Sequence, residues 1–323
     1  MSAQPEPVAP LAGSVTLPAS MPRTVELSRP VVVVTGPPRS GTSVIGKLLT
    51  LAPGSIEVYE PLNPQWGLVG VERVFPYLRR GSTAGEAEAL WGYLRDGSVV
   101  WRNPQGPIPN GKRTLVRRRL IEQSPAATAV VKDPFLVCAL DWVHHDLSDR
   151  PAVVTLRHPA AWMASLNRRR MSAESILRGL AAQPDLTAGP LADVLEPWIA
   201  GKVASRVHCI GLAWSALVRM IDVQVNAGAP VLLTRMEDFG RAPLDTVTHL
   251  FASLGLDPPP DLEQRVAELT EADTVVPPPD VMHEHRRNSA ELATAWRGLL
   301  SDDDVRQLRK VVEPHAWRHY PEW

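Results

Sequence analysis

Cysteine is nearly absent from this chain of 323 residues: only Cys138 and Cys209 occur. Two thiols give neither a disulfide framework nor a CxxC pair, so reduced, intracellular thiols are expected. Charge of one sign is not in excess. With 34 basic and 35 acidic side chains, the formal net charge is -1. Nothing in that balance asks for nucleic acid or an anionic membrane surface. Apolar runs long enough to cross a bilayer are missing. So is a basic start followed by an apolar block, and no signal peptide is expected. Together these absences lead to the expectation of a soluble, cytoplasmic protein. Its hydrophobic content of 44% is enough for a substantial core.

One further absence is local. The β-branched run Val31–Thr35 is followed by Gly36-Pro37-Pro38-Arg39-Ser40-Gly41-Thr42-Ser43. The two glycines have the spacing of a phosphate-binding Walker A loop, but Thr42 stands where a P-loop nucleotidase needs lysine. Backbone N–H groups of Ser40 to Ser43, at a helix start, are expected to face an anion above the first strand. Arg39 adds a fork of donors, and Thr42 and Ser43 add hydroxyls. Without its lysine, the cradle suits an anion carrying less charge than a nucleoside triphosphate with magnesium.

Residues Met1 to Arg29 are rich in Pro, Ala and Ser without a sustained period, which reads as a disordered tail. Beyond it, short β-branched runs alternate with helical stretches. Strands are expected at Val31–Thr35, Ser55–Tyr59, Thr128–Val131, Ala152–Leu156 and Val231–Thr234. Helices are expected at Ser43–Leu51, Glu86–Arg95, Thr114–Gln123 and from Asp302 onward, the last capped by Ser301. A Pro/Gly-rich loop, Asn103–Gly111, interrupts the second region. Strands apolar on both faces and alternating with helices indicate an α/β fold, a P-loop-like parallel sheet of about five strands flanked by helices. Residues 30–323 read as one domain, with insertions near 66–125 and 171–225. The first loop, helix and turn are expected to bring the second strand back beside the first.

In an open parallel sheet, ligands bind outside the carboxyl ends of the strands. Here those ends carry the Gly36–Ser43 loop, Glu60-Pro61, Lys132-Asp133-Pro134, Arg157-His158-Pro159 and Arg235, with Glu237-Asp238 just beyond. An anion loop and charged groups at every strand end describe one crevice built for charge. Glu237 and Asp238 are expected to brace the sheet end.

These residues carry a resemblance. Pro38-Arg39-Ser40-Gly41-Thr42-Ser43 resembles the 5′-phosphosulfate loop of PAPS-dependent sulfotransferases. Arg157 followed eight positions later by Ser165 resembles the 3′-phosphate site of that family. Tyr59-Glu60-Pro61 is similar to the carbohydrate 6-O-sulfotransferases. It is also similar to the tyrosylprotein sulfotransferases, where a Glu in this region is the catalytic base. Val131-Lys132-Asp133-Pro134-Phe135 resembles the segment of the latter whose Lys contacts the transferring sulfonate. The resemblance implies that Arg39, Ser40, Gly41, Thr42, Ser43, Arg157 and Ser165 bind PAPS. It further implies that Glu60 is the general base, with Asp133 and His158 next in line, and that Lys132 and Arg39 stabilise the transferred charge, so that no metal is required. By the same resemblance the insertions near 66–125 and 171–225 recognise an acceptor, and Arg287 in Arg286-Arg287-Asn288-Ser289 closes over the nucleotide. The product is then 3′,5′-ADP, and the partner a small-molecule or glycan hydroxyl acceptor. The chain departs from the pattern at His158, where the family often has Asp or Asn.

Two other readings stay open. A P-loop kinase or nucleotidase with a degenerate Walker A would use Asp133 for its metal, with Lys47 a turn beyond the loop. A non-catalytic nucleotide-binding protein would not need Glu60 and Lys132. The pairs His144-His145 and His283/His285 read as surface residues. Arg168–Arg170 read as a solvated helix face that adds positive field near Ser165. Most of the ten Trp are core, with Trp66, Trp91 and Trp101 as candidates to line an acceptor pocket.

Overall fold

Five strands, β1 (Val31–Thr35), β2 (Ser55–Tyr59), β3 (Thr128–Lys132), β4 (Ala152–Leu156) and β5 (Val231–Arg235), form one sheet in the order β2-β3-β1-β4-β5, with every pairing parallel. The structure is a computed structural model and describes residues 27, 29–83, 85–102, 127–270, 294–321 and 323. The loop Asn103–Gly111, the helix Thr114–Gln123, nearly all of the tail Met1–Arg29, His283, His285 and the Arg286–Ser289 segment with Arg287 lie outside the described residues.

The main helices in chain order are α1 (Thr42–Leu49), α2 (Glu86–Asp96), α3 (Pro159–Arg168), α4 (Glu174–Ala181), α5 (Ala192–Ile199), α6 (Arg206–Asn226), α7 (Met236–Arg241), α8 (Pro243–Ser253), α9 (Leu262–Thr270) and α10 (Asp302–Ala316). They cover both faces of the sheet. Val32 and Val34 of β1 pack with Ile45 and Leu48 of α1, Phe251 of α8 and Val266 of α9. Val31 and Val33 join the opposite core, with Leu90 of α2, Trp162 of α3, Trp214 of α6 and Leu308 of α10. A strand covered on both sides has no solvated face, which is why β1 is apolar throughout rather than alternating. The last helix begins as its sequence indicates: the Ser301 hydroxyl accepts the Asp304 N–H at 3.1 Å, behind three acids in the first turn.

One expectation is corrected by the strand order. β2 does not lie beside β1, because β3 inserts between them. The connection through α1 therefore crosses over a strand that arrives later in the chain, a pairing that no local pattern records. The helix starts one residue earlier than expected, at Thr42, and ends at Leu49 ahead of Pro53. Lys132 and Arg235 prove to be strand residues, held in register with Tyr59 and Leu156 respectively. The chain leaves β1 towards β2 on one side and leaves β4 towards β5 on the other. The carboxyl ends of β1 and β4 thus border the crevice at which open α/β sheets bind ligands.

Candidate active site

The loop after β1 is pinned from three sides. Gly36 has φ 140°, and a Cβ there would stand 2.2 Å from the Thr155 carbonyl oxygen of β4, so only glycine fits. Ser40 is fully buried and its hydroxyl lies 3.0 Å from the Thr155 carbonyl and 2.8 Å from the Thr155 hydroxyl. The Trp162 indole N–H of α3 donates to the Pro38 carbonyl at 2.5 Å. Ser40 therefore differs from expectation. Its hydroxyl faces β4 and its N–H donates to Pro37 O at 3.0 Å, so it serves the loop's shape rather than its open face. α1 starts at Gly41 without a side-chain cap, which leaves its first-turn N–H groups to an anion.

Arginines gather on the β4 side. The Arg157 guanidinium, at the end of β4, reaches the Arg39 carbonyl at 3.5 Å, and the Arg157 carbonyl accepts the Trp214 indole N–H at 3.1 Å. Burial first, then the charges of Arg169, Arg157 and Arg168, pull Arg39 down to about 10. Arg157 and Arg168 are lowered too, mainly by burial, with Glu237 working in the opposite sense at Arg157. Guanidinium groups crowded together repel one another, and a shared polyanion removes that repulsion.

Trp162, Ser165 and Arg168 recur every three residues on α3 and so share one face. Trp162 touches Pro38 and Arg168 acts on Arg39, so that face looks onto the loop. Ser165 is 3% exposed, and its hydroxyl takes no hydrogen bond among the described residues; neither does Nε of Arg39 or of Arg168. Buried donors left without partners beside crowded arginines fit a phosphate-bearing ligand.

On the other side of the loop, Lys132 ends β3, between β1 and β2. Its side chain is 1% exposed and its ammonium donates to Glu60 Oε1 at 2.6 Å. The same ammonium lies 3.8 Å from the Tyr59 ring centroid. Gly46 of α1 makes room for this side chain, since a Cβ there would stand 2.8 Å from Lys132 Cγ. Burial works against the Lys132 charge, but Glu60, Tyr59 and Asp133 outweigh it and hold the ammonium above its ordinary range.

Glu60 keeps a side-chain exposure of 15%. Its second oxygen accepts from Asn63 Nδ2 at 2.9 Å, and its own N–H donates to the Lys132 carbonyl at 2.8 Å. Glu60 has φ 50° and Arg39 φ 70°, the left-handed region in which a side chain costs about 1–3 kcal/mol. Burial first, then the Glu60 charge, raise the Tyr59 phenol above its ordinary pKa, with Lys132 working in the opposite sense.

Asp133, next in line as a base, is instead engaged by the backbone. Its carboxylate accepts the Leu62 N–H at 2.6 Å and the Phe135 N–H at 2.9 Å and has no exposure. Burial first, then Glu60, push it up to about 7. His158 is likewise not placed as a base. Its Nδ1 accepts the Ala160 N–H at 3.2 Å, and its ring stacks on Trp296 at 5.2 Å with Tyr320 and Trp323 at its edges. Burial, then Arg297 and Arg235, push it down to about 4. Glu237 accepts the His158 N–H at 3.0 Å and the Tyr320 hydroxyl at 3.1 Å, which braces the end of the sheet.

Trp91 and Trp101 belong to the core, packed on Trp142 at 5.4 Å and on Tyr93 at 5.4 Å respectively. Five site residues are not singled out by the sequence: Tyr59 as a side chain in its own right, Asn63, Gly46, Trp162 and Trp214. Tyr59 and Asn63 flank Glu60 closely enough to be suspected. The other three touch residues far from them in the sequence, and only the packing reveals them.

An uncapped helix start at the switch point, flanked by arginines and by the Glu60–Lys132 pair, makes this edge of the α/β sheet the candidate ligand site. No family model matches the sequence. Over 79 residues it is 30% identical to human carbohydrate sulfotransferase 5, a stretch that covers 24% of this chain and 19% of that protein. Among solved structures it is similar to the sulfotransferase domain of the curacin biosynthetic pathway (12% identity, 91% of this chain and 99% of that one, TM-score 0.46). It is also similar to the sulfotransferase domain of the Synechococcus PCC 7002 olefin synthase (15% identity, 90% and 96%, TM-score 0.43). A third likeness is to the mouse sulfotransferase SULT7A1 complexed with PAP (12% identity, 90% and 84%, TM-score 0.41).

Proposed function

We propose that the chain is a sulfotransferase that moves a sulfonate group from PAPS to a hydroxyl of a small-molecule or sugar acceptor. One observation carries this reading. The loop after β1 is flanked at the same crevice by a partly exposed carboxylate paired to a buried lysine on one side, and by Arg157 and an unpartnered Ser165 on the other. The local likeness to a carbohydrate sulfotransferase supports it.

PAPS, when bound, supplies an activated sulfonate and leaves as 3′,5′-ADP. The first-turn N–H groups of α1 and the Arg39 guanidinium hold the 5′-phosphate end. Arg157 and Ser165, with Arg168 beside them, hold the 3′-phosphate. Glu60 accepts the proton of the acceptor hydroxyl, work that typically gives ~10²–10⁴-fold. Lys132 stabilises negative charge on the group in transfer, and burial strengthens that effect. A nucleotidase reading is less well supported, because Asp133, the acid it needs for a metal, is already engaged by Leu62 and Phe135.

Calorimetric titration with 3′,5′-ADP in the absence of magnesium, beside ATP with magnesium, tests the nucleotide. The expected outcome is binding of the first and not the second; the reverse overturns the proposal. Transfer of labelled sulfonate from PAPS to a panel of hydroxyl compounds then identifies the acceptor class.

A further inference from the structure

We infer that Asp133 is a positioning residue for Glu60, acting through the backbone of the turn that carries it. This rests on Glu60 being the base. Beyond β2 the chain reverses at Glu60, where a non-glycine residue holds φ 50°. Such a residue keeps that conformation only when the surroundings over-determine it. Two backbone bonds contribute: Glu60 N–H to Lys132 O at 2.8 Å, and Asn63 N–H to Glu60 O at 3.2 Å. The third restraint is the Asp133 carboxylate. One oxygen takes the Leu62 N–H at 2.6 Å, the shorter of its two bonds. The other takes the Phe135 N–H at 2.9 Å and so caps the 3-10 helix Pro134–Cys138.

One buried side chain therefore joins the turn bearing Glu60 to the helix that follows Lys132. Strand register aligns Tyr59 with Lys132, and Asp133 carries that alignment one step further, past the end of the ladder. Asp133 cannot reach an acceptor itself, since it has no exposed surface. The charged groups facing it are Glu60 and Lys132. Its effect on chemistry runs through where Glu60 stands.

The test separates this tether from a general need for the carboxylate. Asp133→Ser keeps a good helix cap for Phe135 but is too short to hold Leu62 as well. Asp133→Asn leaves one acceptor for two N–H groups, so the Leu62 and Phe135 bonds can no longer both be made. Each is made in the wild-type chain and in Glu60→Gln, and single-turnover sulfation is measured beside 3′,5′-ADP titration. In the wild-type background a drop of roughly 10–100-fold in turnover is expected, the order of loss that misplacing a catalytic group brings. Nucleotide affinity stays unchanged. In the Glu60→Gln background the further loss shrinks to about threefold or less, because coupled residues are not additive.

Equal losses in both backgrounds overturn the inference. So does nucleotide affinity falling in step with turnover, or failure of both variants to fold, since either assigns Asp133 to the scaffold. Glu60→Gln with wild-type turnover overturns the base assignment itself. That measurement is made first, on a chain with Asp133 intact, which tells the two failures apart.

Discussion

Glu60 and Lys132 stand at the ends of neighbouring parallel strands and are joined at 2.6 Å, with the lysine side chain 1% exposed and the glutamate 15%. The asymmetry matters. The buried lysine depends on its partners, whereas the carboxylate keeps partial exposure while accepting from Lys132 and Asn63. A buried ion pair is weak evidence for stability, because desolvation offsets its attraction. Its value here is to fix a charge of each sign next to the anion loop.

Glu60→Gln is nearly isosteric and leaves Lys132 an amide oxygen to donate to. Turnover should fall by roughly 10²–10⁴-fold, the usual contribution of a positioned base. Affinity for 3′,5′-ADP should stay the same or tighten slightly, since a negative charge near an anion site is removed. Single-turnover sulfation and a binding titration on one preparation measure both. Wild-type turnover would remove Glu60 from the chemistry.

Arg157→Ala should abolish the preference for 3′,5′-ADP over 5′-AMP, because only the former presents a phosphate to Arg157 and Ser165. A hydrogen bond to a charged group contributes about 1.5–3 kcal/mol, so the affinity ratio should change by about 10- to 100-fold. Ser165→Ala should move the same ratio in the same direction by less. A ratio unchanged in Arg157→Ala places the 3′-phosphate elsewhere.

Gly46→Ala sets two effects against each other. Alanine improves an α-helix interior by about 1 kcal/mol. The new methyl, however, would stand 2.8 Å from Lys132 Cγ and 2.9 Å from Lys132 Cβ, near the root of a side chain that cannot swing away. Overpacking of this kind costs about 1–3 kcal/mol, so the variant should melt lower than the wild type. Displacement of Lys132 should also lower turnover. A higher melting temperature with full turnover would show that α1 yields freely.

His158 predicts a pH effect with a definite sign. Its pKa is lowered from 6.5 to about 4, by burial first and then by Arg297 and Arg235. Between those values the unfolded chain binds more protons than the folded one. The contribution of His158 is therefore complete above pH 6.5 and is lost as the pH falls through 4, with a limit of about 3 kcal/mol. His158→Asn keeps an acceptor for the Ala160 N–H and removes the titration. Denaturant unfolding from pH 7.5 to 4 should show the wild type losing more stability than the variant; parallel curves would exclude His158 as the cause.

Much of the site is legible in one dimension because strand ends are local events. The Val31–Thr35 run and the glycines at 36 and 41 mark a strand, a tight loop and a helix start within a dozen residues. Glu60, Lys132 and Arg157 each follow an apolar run directly, so the rule that open sheets bind at carboxyl ends gathers them without knowledge of strand order. Ser301 and the acids after it announce α10 in the same way, through first-turn hydrogen bonding that belongs to neighbouring residues.

Strand order, and with it the identity of each residue's neighbour, was decided only by the tertiary structure. The sequence determined that Glu60 and Lys132 lie at strand ends, since apolar runs and the turns that close them are set by adjacent residues. It did not determine that β3 enters between β1 and β2, nor that Lys132 consequently pairs with Glu60 while Asp133 holds Leu62. Those contacts join residues more than seventy positions apart, and they exist because burying both faces of the sheet favours one order of strands. Ser40 shows the same division. Its place in an anion loop is local, but the turning of its hydroxyl onto Thr155 follows from β4 packing against β1.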